Sequence, residues 1–168
     1  MDVELVWSNP FDFFLDPAAD YFPFDYSARD AQALAPYLAR DPAAPDAAIL
    51  QAYLGKLDRG RQRSLDFVVA LNQQVQRDIG YRVRLEPGVQ TPLETLQNAS
   101  GSCRDSAWLL VNLLRQSALA ARFVSGYLLD LDPTALAPAA SMQETTTLSA
   151  VISVADRSIM TAVQIGRA

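Results

Sequence analysis

The chain has 168 residues, 50% of them apolar and 20% charged, with a net charge of −5, which describes one ordinary globular domain long enough to bury a core. No run of Lys and Arg offers a footprint for nucleic acid or an anionic membrane surface, and no apolar run reaches the length of a membrane span. A single cysteine and the absence of histidine exclude an internal disulfide and the common zinc ligand sets. With an acidic N-terminus that lacks a signal-peptide n-region, they point to a reducing, cytoplasmic setting with no metal and no cofactor.

In chain order, Val3–Trp7 reads as a short strand ended by Asn9-Pro10. Residues 11–26 hold seven rings (Phe11, Phe13, Phe14, Tyr21, Phe22, Phe24 and Tyr26) broken by Pro17 and Pro23. This is an irregular segment anchored by aromatic packing. Ala28–Ala39 predicts a helix that Pro36 restarts or kinks. After the Asp41–Pro45 linker, Asp46–Leu57 predicts a helix with Asp46 as N-cap. Ser64–Ile79 is an amphipathic helix with Leu65, Val68, Leu71 or Asn72, Val75 and Ile79 at helical spacing, stopped by Gly80. Tyr81–Leu85 alternates and reads as extended. Thr91-Pro92-Leu93-Glu94 spells a capping box with proline at the first helical position, so a short helix runs to Leu96.

Ser100-Gly101-Ser102 is a breaker and a cap. Ser102 as N-cap and Asp105 three residues on spell a second capping box, which puts Cys103 at the first helical position. There the unpaired backbone N–H groups and the helix dipole favour a thiolate over a thiol. Ala107–Leu114 is almost wholly apolar, so this helix is buried, and it ends near Ser117. Ala121–Leu131 then reads as a strand around Gly126. Residues 135–142 read as a loop. Glu144–Ala155 and Ser158–Ile165 read as strands that Asp156-Arg157 turns into a hairpin.

A lone cysteine on a helix is more often packing than chemistry. Two features favour chemistry here: Cys103 follows a Gly-Ser turn, and its neighbours Arg104 and Asp105 are charged. Both place the thiol at the helix mouth rather than in the apolar body.

Gly101-Ser-Cys103-Arg-Asp-Ser-Ala-Trp-Leu-Leu and Leu119-Ala-Ala-Arg-Phe-Val-Ser-Gly-Tyr127 closely resemble the bacterial transglutaminase-like cysteine peptidase family. Pro87–Leu96 and the early Asn9-Pro-Phe-Asp-Phe-Phe-Leu-Asp-Pro with Tyr21-Phe-Pro-Phe fit the same family. The resemblance covers residues 3–131. It implies an α+β fold with a papain/transglutaminase-like core, here mainly the helical half plus a small antiparallel sheet. It also implies a Cys-His-Asp triad in which Cys103 is the nucleophile. Residues 1–8 would be the last strand of a preceding β-domain, or Val3–Trp7 pairs elsewhere in the chain. Residues 9–131 would be the helical core.

The resemblance stops where the family's histidine strand should follow. Asp132-Pro133-Thr134 spells the family's aspartate motif, but it comes directly after the Gly-Tyr strand, either by coincidence or through an internal deletion. Residues 132–168 are then a frameshifted end, a foreign segment or a diverged sheet. Three functions follow: a cysteine hydrolase or acyl transferase acting on peptide or protein amides through a thioester, inactive here for want of histidine; a non-catalytic remnant or binding module of a larger multidomain protein; or a fragment with no independent role. Substrate and oligomeric state are not legible.

Overall fold

The computed structural model describes residues 15–40, 46–124, 149–154 and 157–159. The Val3–Trp7 strand, the rings of Phe11, Phe13 and Phe14, the 41–45 linker, the 125–131 end of the predicted strand, the 135–142 loop and the outer ends of the predicted hairpin lie outside these residues.

Near the N-terminal end of the described chain, β1 (Tyr21–Phe22) pairs antiparallel with β2 (Gln62–Arg63). This brings Phe22 flat onto Phe67, with ring centroids 3.9 Å apart. The Ala28–Ala39 prediction resolves into α1 (Ala28–Ala33) and α2 (Ala35–Leu38). Pro36 sits in the first turn of the second piece, where its missing N–H costs nothing. The next helix, α3 (Ala47–Leu54), ends before Leu57, and Asp46 precedes it without a side-chain cap bond.

α4 (Ser64–Asp78) is the expected amphipathic helix, with one correction. Its buried face is built from Phe67, Val68, Leu71 and Val75, while Leu65 is 40% exposed. The stacking of Phe67 on Phe22 fixes the rotation of the helix and carries Leu65 to the margin of the stripe.

The elements that build the candidate site come next. The pair β3 (Gly80–Tyr81) and β4 (Ser100–Gly101) is parallel. It is extended by Gly80 N–H to Ala99 O and Arg82 N–H to Gly101 O, both 2.8 Å. Between these strands runs α5 (Pro92–Asn98), two residues longer than expected. It closes on Ala99 in the left-handed region, at φ 46°.

α6 (Cys103–Gln116) follows and forms the middle of the core. Leu109, Leu110, Val111, Leu113 and Leu114 are at most 1% exposed, and burial of each such side chain stabilises the fold by about 2 kcal/mol. α3, α4 and α5 pack around α6.

On its remaining side, β5 (Ala121–Val124), β6 (Ser149–Val154) and β7 (Arg157–Ile159) form an antiparallel sheet in the order β5-β6-β7. The hairpin expected in the tail therefore joins β5 directly, with Ala121 opposite Ile152. The turn itself lies outside the described residues, and Arg157, expected within it, instead pairs with Val154. The architecture is α+β, a helical core with a small antiparallel sheet, as expected from the sequence.

Candidate active site

Cys103 is the first residue of α6 and is partly exposed, with a free thiol. The turn that aims it is set by Gly101 and Ser102. A Cβ built on Gly101 would lie 2.8 Å from Cβ of Asp105, closer than real Cβ contacts allow, so the close approach of β4 to the first turn of α6 requires glycine there. Ser102 caps the helix in the predicted box: its Oγ accepts from Asp105 N–H, and Asp105 Oδ2 accepts from Ser102 N–H at 2.7 Å and from Ser102 Oγ at 2.8 Å. The box engages the N–H groups of Ser102 and Asp105. Those of Cys103 and Arg104 fall outside it and belong to the open, positive end of the helix.

Asp105 does more than cap. Its other oxygen, Oδ1, accepts from Gln90 N–H at 2.8 Å and from Arg84 Nη1 at 2.7 Å. The carboxylate is fully buried, and the Arg84 side chain is 11% exposed. Burial pushes the Asp105 carboxyl up. The N–H groups of Gln90 and Ser102, the Arg84 guanidinium and the Ser102 hydroxyl together outweigh that and hold it below the ordinary carboxylate range.

Arg84 also meets Glu86 at 3.5 Å. Arg104 reaches back to the carbonyls of Arg84 and Glu86, at 3.4 Å each. The first turn of α6 is thus tied to residues 84–90 through Arg104 and Asp105, the two residues that follow Cys103.

Sequence reasoning named Cys103, Ser102 and Asp105 but missed Arg84 and Gln90. The signal available for Arg84 was a charged residue on the opposite face of an extended run from Tyr81, Val83 and Leu85. Among the described residues no group of three His, Cys, Asp or Glu side chains could hold a metal ion, and no helix is long and apolar enough to cross a membrane.

A helical core whose central buried helix opens on a capped cysteine, flanked by a small antiparallel sheet, defines a papain-like or transglutaminase-like class of protein. The model of the transglutaminase-like superfamily matches residues 51–159, more than half of the chain, and the chain belongs to that superfamily. The match passes residue 131 and takes in β6 and β7. A solved structure of a proposed cysteine protease from Cytophaga hutchinsonii is similar over 71% of this chain, with a TM-score of 0.52 and 20% identity. That likeness speaks to the fold alone, and this chain spans 38% of that protein's length. Comparison with curated proteins gives no match.

Proposed function

We propose that the chain presents Cys103 as the nucleophile of a transglutaminase-like site for peptide or protein amides, and that these 168 residues by themselves do not turn amides over. The observation that supports this reading is a free cysteine, partly exposed as a residue, at the capped start of the buried helix, in a superfamily chain without a histidine.

In the reaction, Cys103 Sγ forms a bond to the carbonyl carbon, the C–N bond breaks, and the departing nitrogen takes a proton. The resulting thioester is then opened by water or by an amine, which gives up a proton in turn. The N–H groups of Cys103 and Arg104 are suited to receive the developing oxyanion, because the capping box does not consume them. Both halves of the reaction need a group that takes and returns a proton near neutral pH. Asp105 cannot serve, since its two oxygens already accept from Ser102, Gln90 and Arg84. The alternative reading, a non-catalytic binding module, is favoured by the same lack of histidine.

The test is hydrolysis of a peptide p-nitroanilide by the chain, with Cys103→Ser as the blank. The expected result is no Cys103-dependent release, with or without time for a slow phase. Cys103-dependent turnover by the isolated chain overturns the proposal.

A further inference from the structure

A capping box asks two things of its acid: to accept from the N-cap residue's backbone, and to be held by the helix's first turn. Asp105 does this with Oδ2 alone. The contacts on Oδ1 are additional and come from far upstream: Gln90 is 15 residues away and Arg84 is 21. Arg84 turns inward to meet a fully buried carboxylate, while its apolar neighbours Val83 and Leu85 are 68% and 92% exposed, the reverse of what the hydrophobic effect favours. A buried charge is held only when it is paired and hydrogen-bonded, and here both conditions are met at one point, two residues from Cys103. Arg104, the residue next to Cys103, holds the carbonyls of Arg84 and Glu86.

We propose that Arg84 and Asp105 are positioning residues for Cys103: the buried pair locks residues 84–90 against the first turn of α6 and so fixes the setting of the thiol. This role gives Cys103 its meaning only under the reading of that residue as the reactive group. The test uses no amide turnover, so the two proposals fail separately.

The experiment is alkylation of Cys103 by iodoacetamide in the full chain, native and in denaturant, for wild type, Arg84→Gln and Arg84→Lys. The temperature is one at which circular dichroism finds each variant folded. In wild type the native rate is expected to exceed the denatured rate by about tenfold. Arg84→Gln is expected to move the native rate about fivefold toward the denatured one, and Arg84→Lys to restore most of the difference by keeping the charge. A role in stability alone would lower the melting midpoint and leave the rate of the folded population unchanged.

Equal native rates in wild type and a folded Arg84→Gln overturn the proposal, as does a wild-type native rate equal to the denatured one. A measurement on wild type alone covers the case in which Arg84→Gln does not fold. The Gln90 amide is expected to exchange with solvent as slowly as the core amides of α6, and exchange at the rate of an exposed loop overturns the lock.

Discussion

The helices α5 and α6 begin with the same device and put it to different uses. Thr91 and Glu94 form a complete capping box on α5, and Ser102 and Asp105 form one on α6. Glu94 spends its contacts on Thr91, with Oε2 accepting from the Thr91 N–H at 2.8 Å and its hydroxyl at 2.9 Å, out in solvent. Asp105 is buried and holds Ser102 with one oxygen and a distant segment with the other.

Gln90 joins the two boxes. It precedes the first, its N–H reaches Asp105 of the second, and its side-chain oxygen accepts from Thr95 of α5. The comparison teaches that a local helix-start signal becomes a tertiary hub when its acid is buried beside a parallel strand pair. It also teaches that this happens at the helix start that carries the cysteine.

The largest contrast is expected on removing the two acids. Asp105→Asn leaves Arg84 facing a neutral partner in a closed site, and breaking a buried pair this way costs about 3–5 kcal/mol. Glu94→Gln, at an exposed cap, should leave the denaturation midpoint close to that of wild type. Urea unfolding of the two variants side by side checks this.

The same contrast appears in acid. Both carboxyls are held below the ordinary range: Glu94 by the N–H and hydroxyl of Thr91, Asp105 by its several donors against the opposing effect of burial. A folded value below the unfolded one means that the contribution to stability is complete above the unfolded value of about 4 and is lost as pH falls through the folded value. Stability is therefore expected to decline below about pH 4. Asp105→Asn should flatten that decline far more than Glu94→Gln does, as read from urea midpoints between neutral pH and acid.

Next in size is Gly101→Ala. The added Cβ meets Asp105 Cβ at 2.8 Å and must push β4 away from α6, at a cost of about 1–3 kcal/mol. It should also disturb Gln90 and Arg82 amide resonances beyond the site of substitution. The smallest effects are those of the caps themselves. Thr91→Ala should cost about 1 kcal/mol and Ser102→Ala about 2, the larger figure because the Ser102 hydroxyl is buried and also donates to Asp105. Equal costs for the two would mean that burial adds nothing at the second box.

Much of this could be read from the chain because the signals are local. Capping boxes, the position of Cys103 at the head of α6, the apolar run of Ala107–Leu114 and the α4 stripe all lie within a few turns. The two paired strands of the tail were legible for the same reason. What joins Arg84 and Gln90 to Asp105 was not legible, because the parallel register of Gly80 with Ser100 brings them together across a helix and a loop. The outward faces of Val83 and Leu85 were not legible either, since Arg84 between them turns inward to a partner, Asp105, that lies 21 residues on. The misplacement of Leu65 has the same origin, because the stacking of Phe67 on Phe22 depends on the β1–β2 pairing and has no signature within α4.

The most direct measurement is the mass of the chain after brief exposure to p-nitrophenyl acetate, whose leaving group departs without a proton, followed by peptide mapping. The account predicts one acetyl group on Cys103 that persists as a thioester, because the chain has no histidine to activate water, and no such enrichment at Cys103 in the denatured chain. Equal labelling of native and denatured Cys103, or none at all, would contradict it and leave the superfamily fold as a binding module.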